Sequence, residues 1–344
     1  MKRYMKNKLI LSLVLIAQGL FFSWNVSAQQ KLEYWDDPEG FLQEQASIIY
    51  KQVFKVLDAY PPSTEAGNER KLALFALDAL LHDTRLDNGV AFKAYADNNV
   101  HRVLDLLQAK KAKNTLRYIH FYNDGYIIQS PTVTIGIDLV RGGSDNEPFV
   151  SNASMQSIVD RCDVLFISHE HGDHADLAVA KMFCDQKKEV IVPPGLWENV
   201  SPYIKPLRGN NALKETVYVT KNRYPLVLNI YPGYQGATLN NVYAITIPEG
   251  KTLMHTGDES SGEKWLANVK KEIKIDVLTA QCWMSPMPAI VASLNPGLVI
   301  TGHENEMAHT IDHREPYWLS FRHMEPVTVP YVIMTWGEFF DIKL

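Results

Sequence analysis

The stretch that decides the fold is Ser168-His169-Glu170-His171-Gly172-Asp173-His174, and it directly follows the apolar run Val164-Leu165-Phe166-Ile167. A short apolar run bounded by turn residues is typical of a buried strand. The six positions from His169 onward hold three imidazoles and an aspartate carboxylate, which are donors that zinc and similar divalent metals prefer. The stretch therefore predicts a metal site in the loop that leaves a strand.

The spacing inside this stretch predicts two neighbouring ligand positions. His169 and His171 lie two residues apart, so both leave the strand end on the same side. Gly172 permits a sharp turn that brings Asp173 and His174 round to a second position. Two adjacent metals could therefore share this one loop.

Three more apolar runs end in residues that can bind a metal or orient one of its ligands: residues 132–138 end in Asp138, residues 250–258 in Asp258 and residues 298–303 in His303. Residues 256–258 read Thr-Gly-Asp. In this order, and together with the histidine-rich loop, the motifs resemble those of the metallo-β-lactamase superfamily. The resemblance extends over residues 116–344.

The resemblance implies a fold, a cofactor and a set of site residues. The fold is α/β, an αββα sandwich preceded by a helical N-terminal extension. The cofactor is a divalent metal, zinc in the first place with manganese as the alternative, present as one or two ions. Asp258 bridges the ions, Asp173 orients the attacking water as the catalytic residue, and Asp138 orients a ligand histidine. The implied metal ligands are His169, His171, Asp173, His174, Asp258 and His303.

The chain departs from the family pattern at one ligand. Family members place a further histidine between the histidine-rich loop and the Thr-Gly-Asp run, but no histidine occurs between His174 and His255. Tyr234 and Gln235 stand in the equivalent loop, and both are poor zinc ligands compared with a neutral histidine. The metal position built on the His-x-His pair is therefore expected to be weaker, absent or completed by another residue.

The segment after His303 offers substitutes for the absent histidine. His309 and His313 lie four residues apart and would share a face if the segment were helical, and Glu304 adds a carboxylate. The alternative is a polar, solvated helix whose histidines only form hydrogen bonds. The sequence leaves both interpretations open.

Residues 1–28 have the pattern of a secretory signal peptide. A basic stretch at residues 2–8 precedes an apolar run at residues 9–22, and small residues suited to cleavage end at Ala28. The apolar run is short for a membrane span, so an uncleaved anchor is the weaker alternative and no stable membrane anchor is expected. We therefore predict a secreted or periplasmic protein.

The remainder of the chain changes its pattern once. Residues 29–115 carry helical spacing, with Ile49, Val53 and Val56 on one face, and predict a helical N-terminal extension. From Leu116 the pattern is that of strands, and Asn123-Asp124-Gly125 predicts a hairpin turn. Residues 116–344 are therefore predicted to form the hydrolase domain.

Composition and net charge limit the classes of molecule that the protein is expected to bind. The formal net charge is −5, and an acidic protein is a poor candidate for nucleic-acid binding, so we expect a small-molecule substrate. Cys162, Cys184 and Cys282 are too few for a disulfide framework, although one pair could bridge. The sequence does not indicate an oligomeric state.

The motifs predict hydrolysis, because a divalent metal acidifies water and polarises a carbonyl or phosphoryl oxygen. The pattern is most similar to the branch that contains ascorbate-6-phosphate lactonase and related phosphodiesterases. The presence of Asp258 and the helical extension favour a lactone, ester, amide or phosphodiester over a β-lactam. The alternatives are a β-lactamase and a secreted metal-binding module that has lost turnover. The signal peptide and acidic charge oppose a nuclease.

Overall fold

The computed structural model describes residues 34–110, 113–144, 146–209, 214–218, 224–260 and 266–344. The predicted signal peptide lies outside these residues. The chain divides into two compact units, Met1–Glu44 and Gln45–Leu344, and the second unit holds the sheets and the site described below. Within the described residues, no helix combines the length and the apolar character that a membrane crossing needs.

Three helices precede the strands: α1 (Pro38–Ala59), which crosses the division between the units, α2 (Asn68–Leu81) and α3 (Val90–Gln108). The buried residues of α1 are Ala46, Tyr50, Val53 and Leu57, a spacing of three or four residues that keeps them on one face. The helical pattern predicted from the sequence is therefore present. The assignment of residues 29–115 to a separate extension stays a prediction.

The strands of the described residues are β1 (Thr115–His120), β2 (Tyr126–Gln129), β3 (Thr134–Ile137), β4 (Val164–Phe166), β5 (Val190–Val192), β6 (Ile204–Pro206), β7 (Lys214–Tyr218), β8 (Pro225–Gln235), β9 (Thr238–Thr246), β10 (Thr252–His255), β11 (Val277–Gln281), β12 (Leu298–Gly302), β13 (Tyr331–Val332) and β14 (Phe339–Lys343). The helices between them are α4 (Asn152–Val159), α5 (Leu177–Asp185), α6 (Leu266–Glu272), α7 (Met287–Leu294) and α8 (Tyr317–Met324), with a 3₁₀ turn at Ile311–His313.

The strands form two sheets of seven. The order in the first is β14-β1-β2-β3-β4-β5-β6, and in the second β13-β12-β11-β10-β9-β8-β7. The predicted hairpin is present, because β1 pairs with β2 in antiparallel fashion around Asn123-Asp124-Gly125. Strands β3 and β4 are parallel, and so are β10, β11 and β12.

The main core lies between the sheets. It joins apolar side chains of the first sheet, such as Tyr118 and Ile135, to those of the second, such as Leu228 and Ile300. A second core covers the other face of the second sheet, where α6, α7 and α8 contribute residues including Val269, Ile290 and Met324. Helix α5 contacts β4 and β5 of the first sheet. The predicted αββα sandwich is confirmed.

This topology brings the carboxyl ends of the parallel strands to one edge of the sandwich. The motifs read from the sequence follow β3, β4, β10 and β12, so ligand-type residues from distant parts of the chain meet there. Gly257 permits the close approach. Its φ is +51°, and a Cβ atom at this position would lie 2.5 Å from the Cβ of Ser168, which no real side chain tolerates.

Helix α2 is joined to the segments that follow β12. The Asp78 carboxylate accepts hydrogen bonds from Asn305 Nδ2 at 2.9 Å, from the backbone N–H of Tyr317 at 2.8 Å and from that of Trp318 at 3.1 Å. Two of these donors are the first N–H groups of α8, which have no partner within their own helix. Asp78 therefore caps α8 from another helix.

A buried ion pair links α2 to the loop before β14. Arg70 donates to both carboxylate oxygens of Glu338, at 2.9 and 2.6 Å, and to the carbonyl oxygens of Tyr60 and Ile333. The Arg70 and Glu338 side chains are 1% and 3% exposed. Each charge is thus compensated inside the protein.

Candidate metal centre

Four side chains converge at the sheet edge and define what we call the second position: Asp173, His174, Asp258 and His303. His303 Nε2 lies 3.3 Å from Asp173 Oδ2 and 3.5 Å from Asp258 Oδ2. His174 Nε2 lies 3.4 Å from Asp173 Oδ2 and 3.3 Å from Asp258 Oδ1.

These distances fit a tetrahedral divalent metal. Zinc bonds to histidine nitrogen and carboxylate oxygen of about 2.0–2.1 Å place neighbouring ligand atoms about 3.3–3.4 Å apart. His174 Nε2, His303 Nε2 and Asp258 Oδ1 are also buried without a hydrogen-bond partner. Buried polar atoms in native proteins nearly always have partners, so three orphaned atoms facing one point indicate a ligand set.

His169, His171 and Asp258 define what we call the first position. His169 Nε2 lies 3.8 Å from Asp258 Oδ2, and it too is buried without a hydrogen-bond partner. The other two members are engaged. Gln235 Nε2 donates to Asp258 Oδ2 at 2.8 Å, and Thr238 Oγ1 lies 3.3 Å from His171 Nε2. The structure thus brings together all six residues that the resemblance implies as ligands, but in two unequal groups.

The tip of the β8–β9 hairpin supplies the two side chains that contact residues of the first position, Gln235 and Thr238. Gln235 and Thr238 are directly opposite each other in the register of this hairpin. Tyr234 precedes Gln235 on the strand, so its side chain points to the other face. The contacts of Tyr234 are made through its backbone, whose N–H donates to Glu259 Oε2 and whose carbonyl accepts from Ser260. Gln235, and not Tyr234, therefore faces the position of the absent histidine.

Asp138 lies behind His174 and outside the converging atoms. Its Oδ2 is 3.0 Å from His174 Nδ1, and its oxygens accept hydrogen bonds from the N–H and hydroxyl of Ser168 at 2.7 and 2.6 Å. A carboxylate bonded to one ring nitrogen leaves the other nitrogen free to bind metal and fixes the ring orientation. Asp138 also ties the start of the histidine-rich loop to the end of β3.

Two further buried residues, His255 and Asp124, extend this arrangement. His255 Nε2 lies 3.1 Å from Asp138 Oδ2 and 3.4 Å from Asp124 Oδ2. All three side chains are at most 1% exposed, and burial raises the pKa of Asp124 to about 6. The His255 ring is therefore directed at Asp138.

The buried carboxylates and imidazoles set one another's charge states: the carboxylates raise the pKa of His174 and His303 well above the usual value. Burial, together with the charge of the neighbouring His174 ring, lowers the pKa of His169 to about 3, so this imidazole is neutral at physiological pH. Burial alone would raise the pKa of Asp173 and Asp258, but the charges and hydrogen bonds of His174 and His303 together outweigh it and hold both pKa values below the usual range. Both carboxylates are therefore ionised and can bind a cation.

His309 lies beside the second position, with a side chain that is 34% exposed. Its Nδ1 is 3.1 Å from the carbonyl oxygen of His313, so Nδ1 donates and Nε2 faces Asp173 Oδ2 at 3.7 Å. The helix considered for this segment does not form, and turns with a short 3₁₀ helix take its place. The His313 ring is consequently 71% exposed and away from the site. Glu304 is fully buried and accepts from Ser320 Oγ of α8 at 2.8 Å.

The loop after β11 borders the centre. The Trp283 ring packs edge-on against His303, with centroids 6.0 Å apart, and lines a cavity of about 130 Å³ together with Met284 and Glu259. Met287, the first residue of α7, is buried in the core that covers the second sheet. Cys162, Cys184 and Cys282, which all lie in the described residues, are buried and unpaired.

Several residues that build the site were not recognised in the sequence. Asn240 holds the Thr-Gly-Asp loop, because its Oδ1 accepts from Asp258 N at 3.1 Å and its Nδ2 donates to the Thr256 carbonyl at 2.8 Å. Asn123 Nδ2 lies 3.3 Å from Asp173 Oδ2. Thr238 and Asn240 alternate along β9, so a polar face on an otherwise apolar strand was the available signal.

Comparisons with protein-family models and with curated proteins find no match. Solved structures give similar folds. A novel metallo hydrolase from Ignicoccus hospitalis is 12% identical with a TM-score of 0.52, over 67% of this chain and 99% of its own. A possible metal-dependent hydrolase from Veillonella parvula is 13% identical with a TM-score of 0.51, over 66% and 99%. An isothiocyanate hydrolase from Delia radicum gut bacteria is 12% identical with a TM-score of 0.50, over 66% and 99%. The chain has the fold of these hydrolases.

Proposed function

We propose that the protein is a metal-dependent hydrolase that cleaves an ester, lactone, amide or phosphodiester bond in a small molecule. The observation that carries the proposal is the second position, where two carboxylates and two imidazoles meet with spacings of 3.3–3.5 Å and with buried, unpartnered donor atoms. The fold shared with other hydrolases supports it.

The second position would hold the ion, through Asp173, His174, Asp258 and His303. A divalent ion there supplies an acidified water and a Lewis acid for the scissile bond. Zinc is the first choice, because the donor set is two imidazoles and two carboxylates, and manganese is the alternative.

Asp173 is the residue that can orient the attacking water. Its Oδ2 lies between the Nε2 atoms of His174 and His303, and its side chain is 12% exposed, so it is the ligand-group carboxylate that solvent reaches. The amide of Asn123 holds the same oxygen. His309 faces Asp173 from the more exposed side and can accept or donate a proton at Nε2 as the leaving group departs.

The test is a screen of the purified protein against the four bond classes, after metal removal and after addition of zinc, manganese or cobalt. We expect turnover that disappears on chelation and returns with metal. Loss of turnover in His303→Ala, with the fold retained by circular dichroism, would tie the activity to this site. Turnover that survives full chelation would refute the proposal.

A metal-binding module without turnover is the second candidate. The hydrogen bonds of Gln235 and Thr238 favour it, because they engage the first position and leave one complete ligand group. Tight metal binding with no turnover of any bond class, under conditions where a control hydrolase is active, would select this candidate.

We further propose that the protein acts outside the cytoplasm, because its N-terminal sequence has the pattern of a signal peptide. Export would give it substrates of the periplasm or the medium. N-terminal sequencing of the protein from cell fractions tests this, and a mature chain that begins at Gln29 is the expected result.

A further inference from the structure

We propose that this chain binds one metal ion, at the second position, and that Gln235 and Thr238 close the first position by hydrogen bonding. The inference rests on the proposed metal-dependent function and specifies the metal content of its site. Three observations carry it: the first two concern the bond between Asp258 and Gln235, and the third concerns His171.

The first observation concerns the carboxylate that two ions would share. Both oxygens of Asp258 contact the second position, because Oδ1 lies 3.3 Å from His174 Nε2 and Oδ2 lies 3.5 Å from His303 Nε2. Asp258 Oδ2, which a first ion would need, also accepts a hydrogen bond from Gln235 Nε2 at 2.8 Å. An amide N–H group is a donor only, so it occupies one lone pair of this oxygen and points a partly positive hydrogen at the position where a cation would sit.

The second observation concerns the orientation of the Gln235 amide. If the amide were turned over, its oxygen would meet Asp258 Oδ2, and two acceptors would face each other without a proton between them. The ionised carboxylate therefore selects the orientation in which Nε2 points at the site. In this orientation Nε2 contacts Asp258, and the buried Oε1 has no hydrogen-bond partner.

The third observation concerns His171. Its Nε2 lies 3.3 Å from Thr238 Oγ1, and Thr238 is the cross-strand neighbour of Gln235. The register of this hairpin thus places the Gln235 amide against the Asp258 carboxylate. It also places the Thr238 hydroxyl against the His171 ring. Of the two histidines at the first position, His169 alone keeps an Nε2 atom without a hydrogen-bond partner. One free imidazole is too small a ligand set for an ion that is normally held by three or four protein groups.

The experiment measures metal content and needs no substrate. The full-length protein is stripped with a chelator, loaded with zinc, dialysed and assayed for zinc by elemental analysis. We expect one tightly held equivalent per chain, rising to two in Gln235→His, which restores an imidazole and removes the amide donor. The matched control is Tyr234→His, which places the same side chain on the opposite face of the strand and should stay at one equivalent.

A second pair of variants locates the ion without relying on a gain of binding. His303→Ala should lose the single equivalent, whereas His171→Ala should keep it. Two equivalents in the unaltered protein, or one equivalent that is lost in Gln235→Ala or His171→Ala, would overturn the inference and leave the proposed hydrolase intact. A folded protein that binds no zinc, manganese or cobalt would refute the proposed function as well.

Discussion

Asp138 Oδ2 lies 3.0 Å from His174 Nδ1, so a carboxylate at the end of β3 fixes the orientation of the His174 ring in the loop after β4. We expect Asp138→Asn to weaken zinc affinity about 10- to 100-fold, because the ring loses an anchor that also raises its basicity. Competition with a chromophoric chelator measures this. Asp163→Asn is the control, since Asp163 bonds the N–H of Thr134 at the opposite end of β3. Equal losses in both variants would mean that the effect is structural.

Asp258 belongs to both ligand groups, and its substitution should be the most damaging. We expect Asp258→Asn to abolish turnover and tight zinc binding, because an amide cannot supply the negative charge that balances a divalent ion. Elemental analysis and the bond-class screen are the measurements, with circular dichroism to show that the fold is kept. Metal-dependent turnover at the level of the unaltered protein would remove Asp258 from the mechanism.

His309 should matter for turnover more than for metal retention. It faces Asp173 from a distance of 3.7 Å and lies outside the four converging residues. We expect His309→Ala to lower kcat/KM at least about tenfold, as removal of a proton-transfer group does, while the zinc content stays unchanged. His313→Ala is the matched control, because its ring is exposed and the backbone carbonyl that orients His309 is retained. Equal activity of the two variants would contradict a role for His309.

The Arg70–Glu338 pair should be important for stability. Removing one member of a buried, hydrogen-bonded ion pair leaves an uncompensated charge, which costs about 3–5 kcal/mol. We therefore expect Arg70→Met to lower the free energy of unfolding by that amount in urea titrations. Arg85→Met is the control, because Arg85 pairs with Asp83 on the surface, and its substitution should change nothing measurable. A loss for Arg70→Met no larger than for the control would show that the pair is dispensable.

Asp124 should make the metal-free protein less stable as the pH rises. Its buried carboxyl has a pKa of about 6, whereas an exposed aspartate in the unfolded chain ionises near pH 4, so the folded state holds the extra proton between these values. Stability therefore falls with rising pH through this window and stays reduced above it.

Asp124→Asn removes this titration. We expect the variant to be more stable than the unaltered protein at about pH 7 and equal to it at about pH 4, in urea titrations with a chelator present. Asp185→Asn, at an exposed position, is the control. A stability difference that does not change with pH would show that Asp124 does not titrate in this range.

The fold and the positions of the metal-ligand residues could be predicted from the sequence because both depend on local patterns. Each motif is an apolar strand followed at once by ligand-type residues, and parallel strands bring such ends together. The αββα sandwich and the hairpin at Asn123-Asp124-Gly125 could be predicted for the same reason. The roles of the converging residues remain for the experiments above.

The contacts that distinguish this site depend on long-range register, which no local pattern reveals. Gln235 was recognised as standing in place of a histidine, but its bond to Asp258 and the opposition of Thr238 to it follow from the pairing of β8 with β9. The helix considered around His309 fails for a related reason. The backbone there is held by contacts with other segments, such as the bond from Asn305 to Asp78, and these override local helical spacing.

The cap that Asp78 provides for α8 bears on where this protein can be cut. A fragment beginning at residue 116 would contain every metal ligand, yet it would lack the carboxylate that holds Asn305 and the first turn of α8. It would also expose the carboxylate of Glu338 without Arg70. We therefore expect such a fragment to be insoluble or to be digested rapidly by protease, and the shortest fragment that folds on its own to begin before α2.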